Sequence, residues 1–205
     1  MSAIADSAAL AAAAAALVIG LAVGLEAAAS PGRAADGPAG AGGGRLDLPA
    51  AAPAPALPTS TRLPTPRTLV YGLRIGPASG TGTLQWTHGS GRYQARLEGR
   101  VAGLSILQWT SLGSTTGAGL APDRFTDRRI GGREQTVRFV RPEGVLQSTG
   151  GGDRPFPPDA QDRLSWMVQI AAIAQGLGRP LVDGERITMW VTDARGHAQT
   201  CLLYT

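Results

Sequence analysis

The sequence predicts a mainly β domain: a curved antiparallel meander sheet, or an incomplete barrel, packed on one buried α-helix over about residues 159–175. Three observations predict it. From Arg67 onward apolar residues recur with period two, most clearly where Tyr93, Ala95, Leu97, Gly99 and Val101 alternate with Gln94, Arg96, Glu98 and Arg100. That is the pattern of an antiparallel strand with one buried face. Turn-forming stretches separate successive runs, which is the signature of a meander. One segment breaks the series and reads as a helix with a wide apolar face, and such a helix needs a concave partner.

The chain divides into an apolar N-terminal segment (1–29), an Ala/Gly/Pro linker (30–66) and the β-rich domain (67–205). Residues Ala8 to Leu25 carry no charge and consist of Ala, Leu, Val, Ile and Gly. Roughly 18 such residues just cross a bilayer core as a helix. Ala27-Ala28-Ala29 gives the small-x-small pattern that a signal peptidase cuts. No cation precedes the run, Asp6 does, and the first arginines, Arg33 and Arg45, follow it. The positive-inside tendency disfavours that arrangement, so a signal peptide and a retained anchor both stay open. The linker lacks the large apolar side chains that offset chain entropy, which predicts disorder with few contacts to the domain. Its prolines, Pro49, Pro53, Pro55, Pro58, Pro64 and Pro66, favour extended spacing.

In the domain the first strand runs through Leu69, Tyr71, Leu73 and Ile75, and the second through Leu84, Trp86 and His88. Gly89-Ser90-Gly91 supplies hairpin chemistry before the third strand. Further strands are predicted over Leu104–Leu112, Arg124–Ile130, Gln135–Val140 and Val145–Ser148, with Pro142-Glu143-Gly144 as a turn. Pro157-Pro158-Asp159 opens the helix, with Asp159 as its N-cap and Asp162 near the positive end of its dipole. Leu164, Met167, Val168 and Ala171 form one apolar stripe; Trp166, Ile170 and Ile173 form a second beside it. Trp166, Ile170 and Ile173 are expected to be buried against the sheet. Gly176 and Gly178 end the helix. Ile187, Met189 and Val191 resume strand alternation, and Ala198–Tyr204 begins another strand in which the chain stops. An unpaired apolar edge there invites aggregation, so the domain is expected to continue beyond residue 205, leaving an open sheet with Gly99, Val101 or Trp190 under-buried.

Two runs of residues carry a resemblance. Gly119-Leu120-Ala121-Pro122-Asp123-Arg124-Phe125-Thr126-Asp127-Arg128-Arg129 is followed by Val137-Arg138-Phe139, and further on comes Gln161-Asp162-Arg163-Leu164-Ser165. Together they resemble an uncharacterised proteobacterial envelope family, filed as domain of unknown function three-one-zero-eight. The likeness covers roughly Leu69 to Val191. It implies an exported protein with an apolar N-terminal segment, an Ala/Pro linker and this domain, with more strands after the point where this chain stops. It carries no catalytic residues to transfer. Cys201-Leu202-Leu203-Tyr204-Thr205 departs from the family pattern.

Composition narrows the chemistry. With Cys 1 and His 2, neither a disulfide scaffold nor a His- or Cys-based metal centre is expected. The 19 Lys+Arg residues are all Arg against 15 Asp+Glu, giving +4 spread along the chain. Absence of Lys and Asn beside abundant Ala, Gly, Pro and Arg reflects a GC-rich genome more than a basic stripe, so no nucleic-acid partner is expected. The sequence has no P-loop, no dinucleotide fingerprint and no Gly-x-Ser-x-Gly elbow, and no cofactor is expected. His88 and His197 stand in no ligand-spaced motif. Asp123, Asp127, Asp159 and Asp162 could pair for glycoside cleavage, but arginine neighbours and helix capping account for them better.

The leading reading is a non-enzymatic periplasmic protein, exported or anchored to the inner membrane through residues 8–25. A concave sheet face would bind an apolar ligand or lipid, with Trp86, Leu97, Trp109, Trp166, Ile170 and Trp190 as ligand or core lining. The alternative is a structural or protein-interaction module on a Pro-rich spacer. A hydrolase using the aspartates ranks last.

Overall fold

The computed structural model describes residues 61–180, 182 and 186–204. The apolar segment 8–25 and the linker up to residue 60 lie outside the described residues. Among the described residues no helix is long and apolar enough to cross a membrane.

Eight strands form one antiparallel meander in chain order: β1 (Arg67–Ile75), β2 (Ala78–Gly89), β3 (Arg92–Val101), β4 (Leu104–Thr116), β5 (Gly119–Arg129), β6 (Gln135–Val140), β7 (Val145–Ser148) and β8 (Gly151–Pro155). The sheet stays open. Its ends β1 and β8 do not pair. Local chemistry sets the registers. Ser90 and Gly91 both take positive φ, 50° and 73°, the primed turn whose twist matches the strands it joins. A bulge between β4 and β5, where Leu112 faces Arg124 and Gly113 faces Pro122, skips Asp123. It shifts the alternation by one, so Leu120 and Phe125 both face inward.

A second, smaller sheet holds β9 (Gln161–Asp162), β10 (Arg186–Thr192) and β11 (Ala198–Tyr204) in the order β11-β10-β9. β9 runs parallel to β10 through Val191↔Gln161 and Thr192↔Asp162. The helix α1 (Ser165–Gly176) packs against β5, β9 and β10. Its predicted start at Asp159 is corrected. Residues 161–162 are extended in β9, and the helix begins at Ser165.

The two stripes of α1 separate onto two layers. Leu164, Met167, Val168 and Ala171 are buried among Leu84, Trp86, Leu97, Trp109, Phe125 and Val137 of the large sheet. Ile173 is buried with Ile187, Met189 and Val191 of β10. The expectation that Trp166 and Ile170 are buried against the sheet is corrected. Both are half-buried, and Trp166 borders both clusters. Of the three residues expected to be under-buried in an open sheet, Val101 and Trp190 are half-buried and Gly99 is buried.

Partial burial lowers the expected cost of truncation. Trp166→Ala should destabilise the domain by about 1–2 kcal/mol, below the range for a fully buried aromatic. Urea unfolding checks this. A loss above about 3 kcal/mol would mean that the indole is enclosed.

The linker up to residue 66 is expected to make few contacts with the domain, and this is corrected for residues 61–66. They have no regular structure but are docked. Arg62 N–H donates to Ala172 O at 2.9 Å, Trp86 Nε1–H donates to Pro64 O at 2.9 Å, and Leu63 packs on the core. One apolar residue, Leu63, suffices in this strap because α1 and the Trp86 indole supply the other partners.

Candidate functional site

The two sequence runs singled out above meet where α1 docks on β5. Gln161 Nε2 donates to Leu120 O at 2.9 Å. Gln169, one turn after Ser165, bridges the adjacent backbone: its Oε1 accepts from Leu120 N–H at 2.7 Å and its Nε2 donates to Ala118 O at 2.8 Å. Gly119, at φ +107°, lies between these contacts. A Cβ there would collide with the Gln169 carboxamide, so the glycine is required both by its conformation and by the close approach of α1.

Asp162 is the centre of this junction and is fully buried. Its Oδ1 accepts from the N–H groups of Leu164 and Ser165, each at 2.8 Å, and Ser165 Oγ accepts from Asp162 N–H at 2.9 Å. This is a reciprocal cap that satisfies otherwise orphaned donors at the helix start. Oδ2 accepts from Ser111 Oγ–H at 2.6 Å, and Tyr93 Oη lies 2.9 Å from Ser111 Oγ. Burial pushes the Asp162 carboxyl up to about 6, against the hydrogen bonds that favour its charge. Burial raises Tyr93 well above its ordinary value, and the Asp162 charge adds to it.

A hydroxyl beside a carboxylate can serve nucleophilic chemistry only with access to a substrate. Ser111, Asp162 and Ser165 are all fully buried, and no histidine joins them. His88 is half-buried, with Nε2 3.2 Å from Pro64 O and its ring 5.4 Å from Trp86. His197 faces Asp193 across a turn at 3.3 Å. The other carboxylates are occupied separately: Asp123 pairs with Arg92 at 2.8 Å, and Asp127 with Arg129 at 3.1 Å. Asp159 is exposed and lends its carbonyl to Gln161. Among the described residues no group of three or more His, Cys, Asp or Glu could hold a metal ion. The Cys201 side chain lies outside what the structure describes.

No family model matches the chain, and neither a curated protein nor a solved structure matches it.

The apolar lining residues are all found at the interface of sheet and helix. Trp86, Leu97 and Trp109 are buried in the main core, where Trp86 lies 5.7 Å from Tyr93 and Trp109 meets Phe125 edge-on at 5.9 Å. Trp166 and Trp190 are half-buried at the rim of that core, and Ile170 lies beside Ile173 and β10. Side chains of α1 occupy the space over these aromatic rings.

Two structural residues went unread in the sequence. Gln169 is a polar residue four after Ser165 on an otherwise apolar helix face, and that break was a usable signal. Arg141 had none. Its guanidinium donates to Pro158 O at 2.8 Å and Pro122 O at 3.0 Å, and it lies 5.8 Å from Phe139 and 5.7 Å from Phe156. Desolvation lowers its proton affinity. The clamp joins the end of β6 to the segments before β9 and within β5, a convergence made only by the fold.

Proposed function

We propose that this chain is a non-enzymatic cell-envelope protein, related to the family it resembles, whose domain acts as a structural or interaction module on a spacer from the inner membrane. Kinship rests on the sequence likeness of the two runs alone, which in the fold meet at one helix-docking junction through Gln161, Leu120, Asp162 and Gln169. Support for export and anchoring rests on the apolar run 8–25 and the Pro-rich stretch after it.

The observation that carries the module reading is the filling of the concave sheet face. Leu164, Met167, Val168 and Ala171 pack among Trp86, Leu97 and Trp109, where an apolar ligand would otherwise sit. A lipid-carrying role would require α1 to leave the sheet, breaking the Asp162 and Gln169 networks.

Cell fractionation of the full chain, followed by mass spectrometry of its organic extract, tests both parts. The protein is expected in the membrane or periplasmic fraction without stoichiometric lipid. Recovery in the cytosol would overturn the envelope assignment. A lipid retained at one per chain would overturn the module reading in favour of a carrier.

A further inference from the structure

The structure points to a second feature at the seam between the two sheets, and we propose that it is a binding cleft for a small multivalent oxyanion, bearing phosphate or carboxylate groups, recognised by Arg133, Arg163 and Arg195. This goes beyond the module reading, since it assigns a ligand chemistry to a place no part of that reading uses.

The cleft has a volume of about 310 Å³, at the small end of the range for ligand sites. Three parts of the chain separated in sequence build it: the end of β5 with the turn before β6, the residue following β9, and the β10–β11 turn. They bring four arginines, Arg129, Arg133, Arg163 and Arg195, together with two aspartates, Asp127 and Asp193.

The aspartates are already engaged. Asp127 holds Arg129 through Nε and Nη2 at 3.1–3.2 Å. Asp193 Oδ1 accepts the N–H groups of Arg195 at 2.8 Å and His197 at 2.9 Å, while Oδ2 faces His197 Nδ1. Among the described residues the side chains of Arg133, Arg163 and Arg195 have neither a hydrogen-bond acceptor nor an ion-pair partner. Three unmatched guanidiniums lining one concavity repel each other, and a bound anion relieves that repulsion. Their planar forks suit carboxylate and phosphate oxygens, which they hold with paired hydrogen bonds.

Arg163 is set apart from its neighbours in the chain. It belongs to the run Gln161-Asp162-Arg163-Leu164-Ser165, in which the side chains of Gln161, Asp162 and Ser165 lock α1 to the sheet and Leu164 fills the core. Arg163 contributes only its backbone N–H, which donates to Thr192 O at 3.2 Å. That bond fixes the backbone from which its half-buried side chain enters the cleft. The backbone share of the ordering cost is therefore met by the fold before any ligand arrives.

Calorimetric titration of the full chain with pyrophosphate and with citrate tests the proposal, and vesicles of phosphatidylcholine with or without phosphatidylglycerol test a lipid headgroup as the source. Saturable binding to at least one anionic probe is expected. Arg163→Gln and Arg195→Gln should each weaken it tenfold or more. Arg124→Gln, on an exposed part of β5 outside the cleft, should leave it unchanged. Dependence confined to soluble pyrophosphate or citrate identifies a free anion; the same dependence with phosphatidylglycerol vesicles identifies a headgroup. Arg195 lies on an exposed turn, so its variant keeps the test intact if Arg163→Gln misfolds. Absence of saturable binding to every probe would overturn the proposal. So would an Arg124→Gln loss equal to the others, which would mean unspecific attraction to net positive charge.

Discussion

Replacing Asp162 with alanine is expected to cost about 3–5 kcal/mol of folding stability, the combined effect of orphaning several buried donors at roughly 1–3 kcal/mol each. The methyl side chain would leave the N–H groups of Leu164 and Ser165 and the hydroxyl of Ser111 without their acceptor. Asp162→Asn should cost far less, because the amide oxygen can still cap α1 and the amide nitrogen can donate to Ser111. Chemical unfolding of the two variants separates the cap from the charge.

The charge has its own signature in pH. The carboxyl titrates at about 6 when folded, against about 4 when unfolded. Between these values the folded chain holds a proton that the unfolded chain has released, so this group's contribution is fully present below about pH 4 and is lost as pH rises to about 6. The difference amounts to roughly 3 kcal/mol. The stability advantage of the wild type over Asp162→Asn should therefore shrink by that order between pH 4 and pH 7. A constant difference across the range would mean that Asp162 keeps an ordinary carboxylate pKa and that its hydrogen bonds offset burial.

Local pattern carried the meander and non-local pairing hid the rest. β6 and β7 fall on the predicted residues, Gln135–Val140 and Val145–Ser148, because the turn at Pro142 divides them. Leu-Gln-Trp-Thr occurs at Leu84–Thr87 and again at Leu107–Thr110, and Leu84, Trp86, Leu107 and Trp109 all lie in the core, through strand parity alone. The helix start was misplaced since Asp159 and Asp162 both suit a cap. What decides between them is the parallel pairing of Gln161 and Asp162 with β10, some thirty residues later in the chain. β8 has no alternation to read, with all five residues exposed. The two stripes of α1 were visible, but their assignment to two different sheets depends on where β10 returns. The Arg163 cleft is hidden for the same reason: its arginines come from three distant turns.

Trp86→Ala is expected to have an effect as large as Asp162→Ala, by a different route. The indole is 1 % exposed, and removing a buried aromatic side chain of this size costs about 3–5 kcal/mol through lost transfer energy and the cavity left behind. It also removes the donor that holds Pro64 O, and with it the anchor of the strap 61–66. Amide exchange locates this second effect. The Arg62 N–H, bonded to Ala172 O across the strap, should be protected in the wild type and exchange freely in Trp86→Ala at temperatures where the sheet remains folded. Trp86→Phe isolates the hydrogen bond. It keeps a ring against Tyr93 and loses the indole N–H, so it should retain most of the stability while still loosening the strap, at a net cost of about 1 kcal/mol for the hydrogen bond. Unchanged Arg62 protection in both variants would mean that Leu63 packing and the Ala172 bond hold the strap without Trp86.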